Sequence, residues 1–276
     1  MNSIKINIQN QSNYAQRKFK HCKIIGEDNR RRILYKYMNL ESAIRCIKDK
    51  VLYFVEPSCW KDQYEKIFYT ANYSKVDTCE KFPLTLFASC FTKNQASEAC
   101  WSVYVHKNTK IASHCVQFRI NRKFFRKELN QCMQKYQGTV YEGQCNYSLH
   151  DAQIIKLPQK ESPLYSEIFE NDFDLSSFLS LLLIKRECFQ YENESRFFFI
   201  PENCSTLDVH SKKDSGKYVL LPLDWSTFVE SIVVDEKCPD DLFQSFVDVC
   251  ENAHLPKPER NKLYHAPINI PITIGE

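Results

Sequence analysis

Apolar residues along this chain switch repeatedly between two spacings, and the switches follow no regular alternation. A spacing of two marks a strand; a spacing of three to four marks an amphipathic helix. "RRILYKY" turns apolar and aromatic over 33–37, a first core strand. Asn39 is placed to cap the helix that follows, where Leu40, Ala43, Ile44 and Ile47 share a face. "VLYFVEP" is a second strand, ending at Pro57. Strands are expected at "LTLFASCF" (84–91) and "SHCVQFRI" (114–120), separated by a short helix that Ser97 caps and that carries Trp101 and Tyr104. Asn121 caps "RKFFRKELNQCMQKY", with Phe125, Leu129, Cys132 and Tyr136 as its apolar stripe.

Further along, "TVYEGQCNYS" reads as a strand with a bulge or turn at Gly143. "DLSSFLSLLLIKRECF" reads as one helix capped by Asp174, with Leu175, Phe178, Leu179, Leu182 and Leu183 facing the core. "KYVLLPL" and "SIVVD" are strands, and "PDDLFQSFVDVCENA" is a last helix with Pro239 near its first turn. The tail "HAPINIPITIGE" is Pro-interrupted and extended, an expected edge strand. This order argues against a doubly wound parallel sheet. It predicts an α+β fold of mixed and antiparallel twisted sheets with flanking helices. Residues 1–30 read as a polar, basic extension and 31–276 as a single domain, without repeats or a low-complexity linker.

Only 5 glycines occur, and neither G-x-G-x-x-G nor G-x-x-x-x-G-K-[ST] is present, which removes the glycine-loop nucleotide sites. The 13 cysteines are scattered, odd in number and without a C-x-x-C pair, so they match neither a zinc site nor a disulfide framework; they read as buried thiols in a reducing compartment. The N-terminus lacks the apolar stretch of a signal peptide, and "FLSLLLI" is too short to span a bilayer, so a cytoplasmic protein without membrane contact is expected. Net charge is only +3, yet the cations cluster. Arg17, Lys18, Lys20, Lys23, Arg30, Arg31 and Arg32 crowd one region, and Arg119, Arg122, Lys123, Arg126 and Lys127 another. Each alone reads as a solvated face; two on one surface would hold a polyanion.

In "FQYENESRFFFI", Glu192, Glu194 and Arg196 are spaced by two, which puts them on one face of a strand that Phe197, Phe198 and Phe199 anchor in the core. Two readings follow from these residues: a salt-bridge ladder on a solvated face, or a site.

Several segments, taken in order, resemble the bacterial domain-of-unknown-function family 2971. They are the strand Leu34, Tyr35, Lys36, Tyr37; "LYFVEPS"; "WKDQYE"; "FASCF"; "ACWSVY"; and "YENESR". The resemblance covers residues 33 to 235. "WKDQYE" keeps Asp62 and Glu65 but has Lys61 and Gln63 where the family has Asn and Pro, which marks a divergent member. That layout is in turn similar to the ADP-ribosyltransferase fold, in which a polar NAD-contacting strand, an aromatic strand, a serine strand and a late E-x-E segment succeed one another.

The resemblance implies NAD as substrate. Glu194 would be the fixed carboxylate beside a developing oxocarbenium ion, and Glu192 would orient or deprotonate the nucleophile. Tyr35, Lys36, Tyr53, Ser89, Trp101 and Arg196 would contact NAD, with Tyr53 or Trp101 stacking on nicotinamide and Lys36 at the diphosphate or a ribose. It also implies a toxin–antitoxin or phage-defence setting and a neutralising protein antitoxin. The basic clusters favour a nucleic-acid acceptor, RNA or DNA, over a protein. Two alternatives stand beside this: a non-catalytic module of the same fold that binds a nucleotide or nucleic acid, and a nuclease holding a divalent metal with Asp62, Glu65, Glu192 and Glu194.

Overall fold

The computed structural model describes residues 19–26, 31–70, 85–95, 98–104, 109–156, 174–203, 207–212 and 216–263. Ser97, Leu84 and the tail after residue 263 lie outside these, and with them the expectations made for them.

Among the described residues eleven strands form one mixed sheet. They are β1 (Cys22–Ile24), β2 (Ile33–Asn39), β3 (Val51–Val55), β4 (Phe87–Thr92), β5 (Cys115–Asn121), β6 (Gly138–Gln144), β7 (Glu194–Pro201), β8 (Val209–Lys212), β9 (Gly216–Pro222), β10 (Val229–Val234) and β11 (Glu259–Arg260). The main path runs β1-β6-β7-β4-β2-β5-β10-β11. Most pairs are antiparallel; β1 on β6 and β11 on β10 are parallel. Cys22–Ile24, inside the basic extension, therefore adds a strand to the sheet.

The sheet forks at β4. One side of β4 pairs continuously with β7. The other touches two strands, each through one residue pair: Thr92 meets Tyr35 of β2, and Ala88 meets Val55 of β3. One limb continues as β2-β5-β10-β11 and the other as β3-β9-β8. Lys36 fills the fork, its ammonium donating to the Cys90 carbonyl (2.7 Å) and to Ser89 Oγ (3.1 Å).

Alternation decides which side each residue occupies. Phe197 and Phe199 of β7 pack with Phe87 and Phe91 in the larger core. Helices α1 (Leu40–Lys48), α4 (Arg122–Tyr136) and α7 (Asp240–Asn252) close that core. Phe91, Phe125 and Phe197 meet with centroids 5.0–5.1 Å apart, and each buried ring contributes about 1.5–3 kcal/mol. Phe198 and Ile200 face the other way, against α2 (Gln63–Thr70), α5 (Asp151–Lys156) and α6 (Leu175–Leu181). A small aromatic cluster of Tyr35, Tyr37, Trp101 and Tyr104 forms where α3 (Glu98–Val103) packs. Side chains of Asn39, Asn121 and Asp174 accept the expected capping bonds from Ser42, Phe124 and Ser177.

Two expectations are corrected. The helix capped by Asp174 stops at Leu181, because Asn146 N–H donates to the Leu183 carbonyl and Lys185 N–H to the Asn146 carbonyl; that bridge requires extended backbone. Gly143 carries neither bulge nor turn but pairs in register with Arg196. Its lack of a side chain serves packing instead, since a Cβ there would stand 2.3 Å from Leu183 Cδ1.

Candidate functional site

β7 carries Glu194 and Arg196 on the same face as Phe198, as the alternation requires. Glu192 is not on that strand. It ends a 3-10 turn, Glu187–Glu192, and Asn193 then adopts φ +42° before β7 begins. The left-handed residue breaks the two-residue spacing on which the shared-face expectation rested.

A buried ion lattice nevertheless assembles here. Lys185, turned inward by the early end of α6, puts its ammonium 2.6 Å from Glu192, 2.7 Å from Glu194 and 3.4 Å from Glu65. Arg196 donates to Glu65 and, at 3.0 Å, to Glu194; it also donates to the Leu182 carbonyl at 2.6 Å and lies 4.2 Å over Trp60. Cys145 Sγ (3.7 Å) completes the shell of Glu194. Outside it, Arg186 pairs with Asp62 at 3.0 Å and covers Tyr64. Glu194 is 4% exposed and Arg196 1%. Three carboxylates thus share two cations, with Glu65, Glu194, Lys185 and Arg196 buried and Glu192 at the partly exposed rim. "WKDQYE" and "YENESR" meet through this lattice.

Burial alone would raise the Glu194 carboxyl, but Arg196 and Lys185 outweigh it and hold the group well below the usual range. Burial also raises Glu192, and there Lys185 only partly offsets it. Burial disfavours the charged Lys185, yet Glu194, Glu65 and Glu192 together raise its pKa.

The other expected contacts do not gather around Glu194. Lys36 and Ser89 point to the opposite face of the sheet, with Phe91, and burial lowers the Lys36 pKa. Tyr53 packs on Tyr218 (5.6 Å) and bonds Arg45, in the other limb. Tyr35 does share the Glu194 face, through its pairing with Thr92. Trp101 packs edge-on to Tyr37 at 5.3 Å, beside Tyr104, which stacks on Tyr37 at 6.2 Å. The expected NAD contacts therefore divide: Tyr35, Trp101 and Arg196 lie on the Glu194 face, Lys36 and Ser89 on the opposite face, and Tyr53 in the other limb.

The metal alternative fails on its ligands. Glu65, Glu192 and Glu194 converge on an ammonium, Asp62 is directed to Arg186, and no group of three or more His, Cys, Asp or Glu among the described residues is arranged to hold an ion. Sequence reasoning missed Lys185, which ends an apolar run and opens the charged triplet Lys185-Arg186-Glu187, and Trp60 as the platform under Arg196.

One surface property was open in the sequence and is closed here. Arg122 N–H donates to the Arg32 carbonyl at 2.9 Å, and Arg31 and Arg122 line the same cleft, so the two basic clusters adjoin. Lys123, Lys127, Arg31 and Arg32 are exposed. No helix among the described residues is long and apolar enough to cross a membrane. Comparison with protein-family models, curated proteins and solved structures finds no match.

Proposed function

We propose that this chain is a non-catalytic binding module that takes a nucleotide or nucleic acid through its phosphate groups. The observation that carries this is the adjacency of the two basic clusters, in which Arg31, Arg32 and Lys123 are exposed beside the cleft that Arg31 and Arg122 line. Cations so grouped bind phosphates by releasing counterions. Glu194, the carboxylate that a transferase would present, is buried and engaged with Lys185 and Arg196. Anisotropy of labelled single-stranded RNA and DNA against salt tests the reading. Affinity should fall steeply with salt, and Arg32→Gln or Lys123→Gln should each flatten the log–log slope by about one. Binding that is absent, or that salt and both variants leave unchanged, refutes it.

A second reading is favoured by one observation: the environments of Glu192 and Glu194 push their pKa values apart, as in an acid–base pair. On that reading the chain transfers ADP-ribose from NAD to an intracellular acceptor, in a toxin–antitoxin or phage-defence system with a protein antitoxin. Labelled NAD with protein, RNA and DNA pools decides it: transfer by wild type, lost in Glu194→Gln, supports it. Intact, unbound NAD removes it.

A further inference from the structure

On the sheet face opposite Glu194 lies a small cleft. Arg31, Lys93 and Arg122 line it, against one carboxylate, Glu142. Glu142 is itself shared, 2.7 Å from Arg122 Nε and 3.7 Å from Arg126 Nε. Lys93 is 7% exposed. Its ammonium donates to a neutral acceptor, Gln144 Oε1, at 2.5 Å, and no described carboxylate stands within ion-pair distance of it. Burial pushes Lys93 down to about 8; Glu142 opposes this, and Arg122 and Arg31 add to it. A buried cation held among other cations is an electrostatic deficit that an anion would fill.

The lining also limits what that anion is. Its apolar members, Ile24, Ile25 and Leu34, are aliphatic, and no aromatic ring is among the described lining residues. Among the described residues a base or nicotinamide finds no stacking platform there. Among the described lining residues three cations stand with one carboxylate, a setting that suits a compact group of two negative charges, which is the state of a phosphomonoester near neutral pH.

We infer that the cleft formed by Arg31, Lys93, Arg122 and Glu142 is a seat for a terminal phosphoryl group, a phosphomonoester rather than the diester backbone. This assignment rests on the phosphate-binding reading above and adds that an end, not only a chain of charges, is recognised. A free mononucleotide and the 5′ end of an RNA share that chemistry.

The experiment titrates the full chain with inorganic phosphate, with AMP, and with one RNA sequence carrying either a 5′-phosphate or a 5′-hydroxyl. The 5′-phosphorylated RNA should bind at least tenfold tighter than its hydroxyl counterpart, and inorganic phosphate should compete. Lys93→Gln should abolish the preference. Arg31→Gln, at an exposed position and so without risk to folding, should reduce it. AMP binding with no RNA preference would assign the seat to the mononucleotide. Equal binding of both RNAs, with neither phosphate nor AMP competing, overturns the seat and leaves the polyanion reading standing. Lys93-dependent binding of phosphate alone, with no RNA or nucleotide bound, keeps the seat and overturns that reading. No binding of any probe overturns both.

Discussion

Lys185→Met keeps most of the aliphatic stem and removes the ammonium that three carboxylates share. Glu65, Glu192 and Glu194 would then face Arg196 alone. Deleting one partner from a buried ion group costs about 3–5 kcal/mol, because the remaining charge is left without compensation. The structure sets a ceiling on this. The lattice can take up a proton, and Glu192, whose carboxyl burial already raises, is the site for it. Protonating a carboxyl of ordinary value 4.5 at pH 7 costs roughly 3.4 kcal/mol, at 1.36 per unit. The expected loss at pH 7 is therefore about 3–4 kcal/mol, or ~6–16 °C in Tm for a chain of this size. The sign with pH follows. The folded variant binds one proton more than the unfolded chain above pH 4.5, so its stability rises as pH falls. The gap to wild type should narrow by about 1.4 kcal/mol per unit between pH 7 and 5. Urea denaturation of both proteins at pH 7, 6 and 5 measures it. A loss under 1 kcal/mol, or a gap that does not change with pH, would refute the claim that Lys185 balances the buried carboxylates.

Lys93 reports in the opposite pH range. Its folded pKa lies below its ordinary 10.5, so between about 8 and 10.5 the unfolded chain holds the extra proton and wild-type stability gains as pH rises. Lys93→Met should show no such gain relative to wild type in urea melts at pH 7.5 and 9.5. Asn39→Ala removes the acceptor for the Ser42 N–H (2.8 Å) and should lower stability by ~1 kcal/mol in the same assay, with Asn39→Asp retaining most of it. Gly138→Ala sets a Cβ 2.5 Å from Phe199 Cε2 and 2.9 Å from the Ile200 carbonyl, backbone that cannot yield without disturbing β7; a loss of ~1–3 kcal/mol is expected, and a neutral result would show that this edge moves.

Local order was largely legible, because it is written in neighbouring residues. The side chains of Asn39, Asn121 and Asp174 cap the helices that their positions announced, and the periodicity of 122–136 located α4. The α+β class followed from the irregular alternation of elements, and the sheet is mixed as expected. What failed depended on contacts far apart in sequence. The helix over 174–189 looked continuous because nothing nearby shows that Leu183 and Lys185 will bridge to Asn146. Glu192 looked like a strand residue because the one local signal against it, an Asn at 193 that tolerates a positive φ, was outweighed by the two-residue spacing of the charges. The fork that sends Lys36 and Ser89 to one face and Glu194 to the other is a matter of which strands pair. The cationic clusters were visible as composition, but their adjacency was not, since it depends on the pairing of β2 with β5, which sets Arg32 beside Arg122.

The position of β7 bears on how the chain is made. It sits between β6 and β4 in the sheet, yet it is translated after both. Until residue 201 has left the ribosome, β4 and β6 have no common neighbour, and Glu65 has emerged 131 residues ahead of the arginine that neutralises it. At ~5–20 residues per second, that interval is on the order of ten seconds. Throughout it the nascent chain exposes apolar strand edges and an unmatched acidic patch. The early portion is therefore a client for chaperones until the central strand arrives, and a truncation before residue 194 would leave the sheet in two separate pieces rather than one shorter sheet.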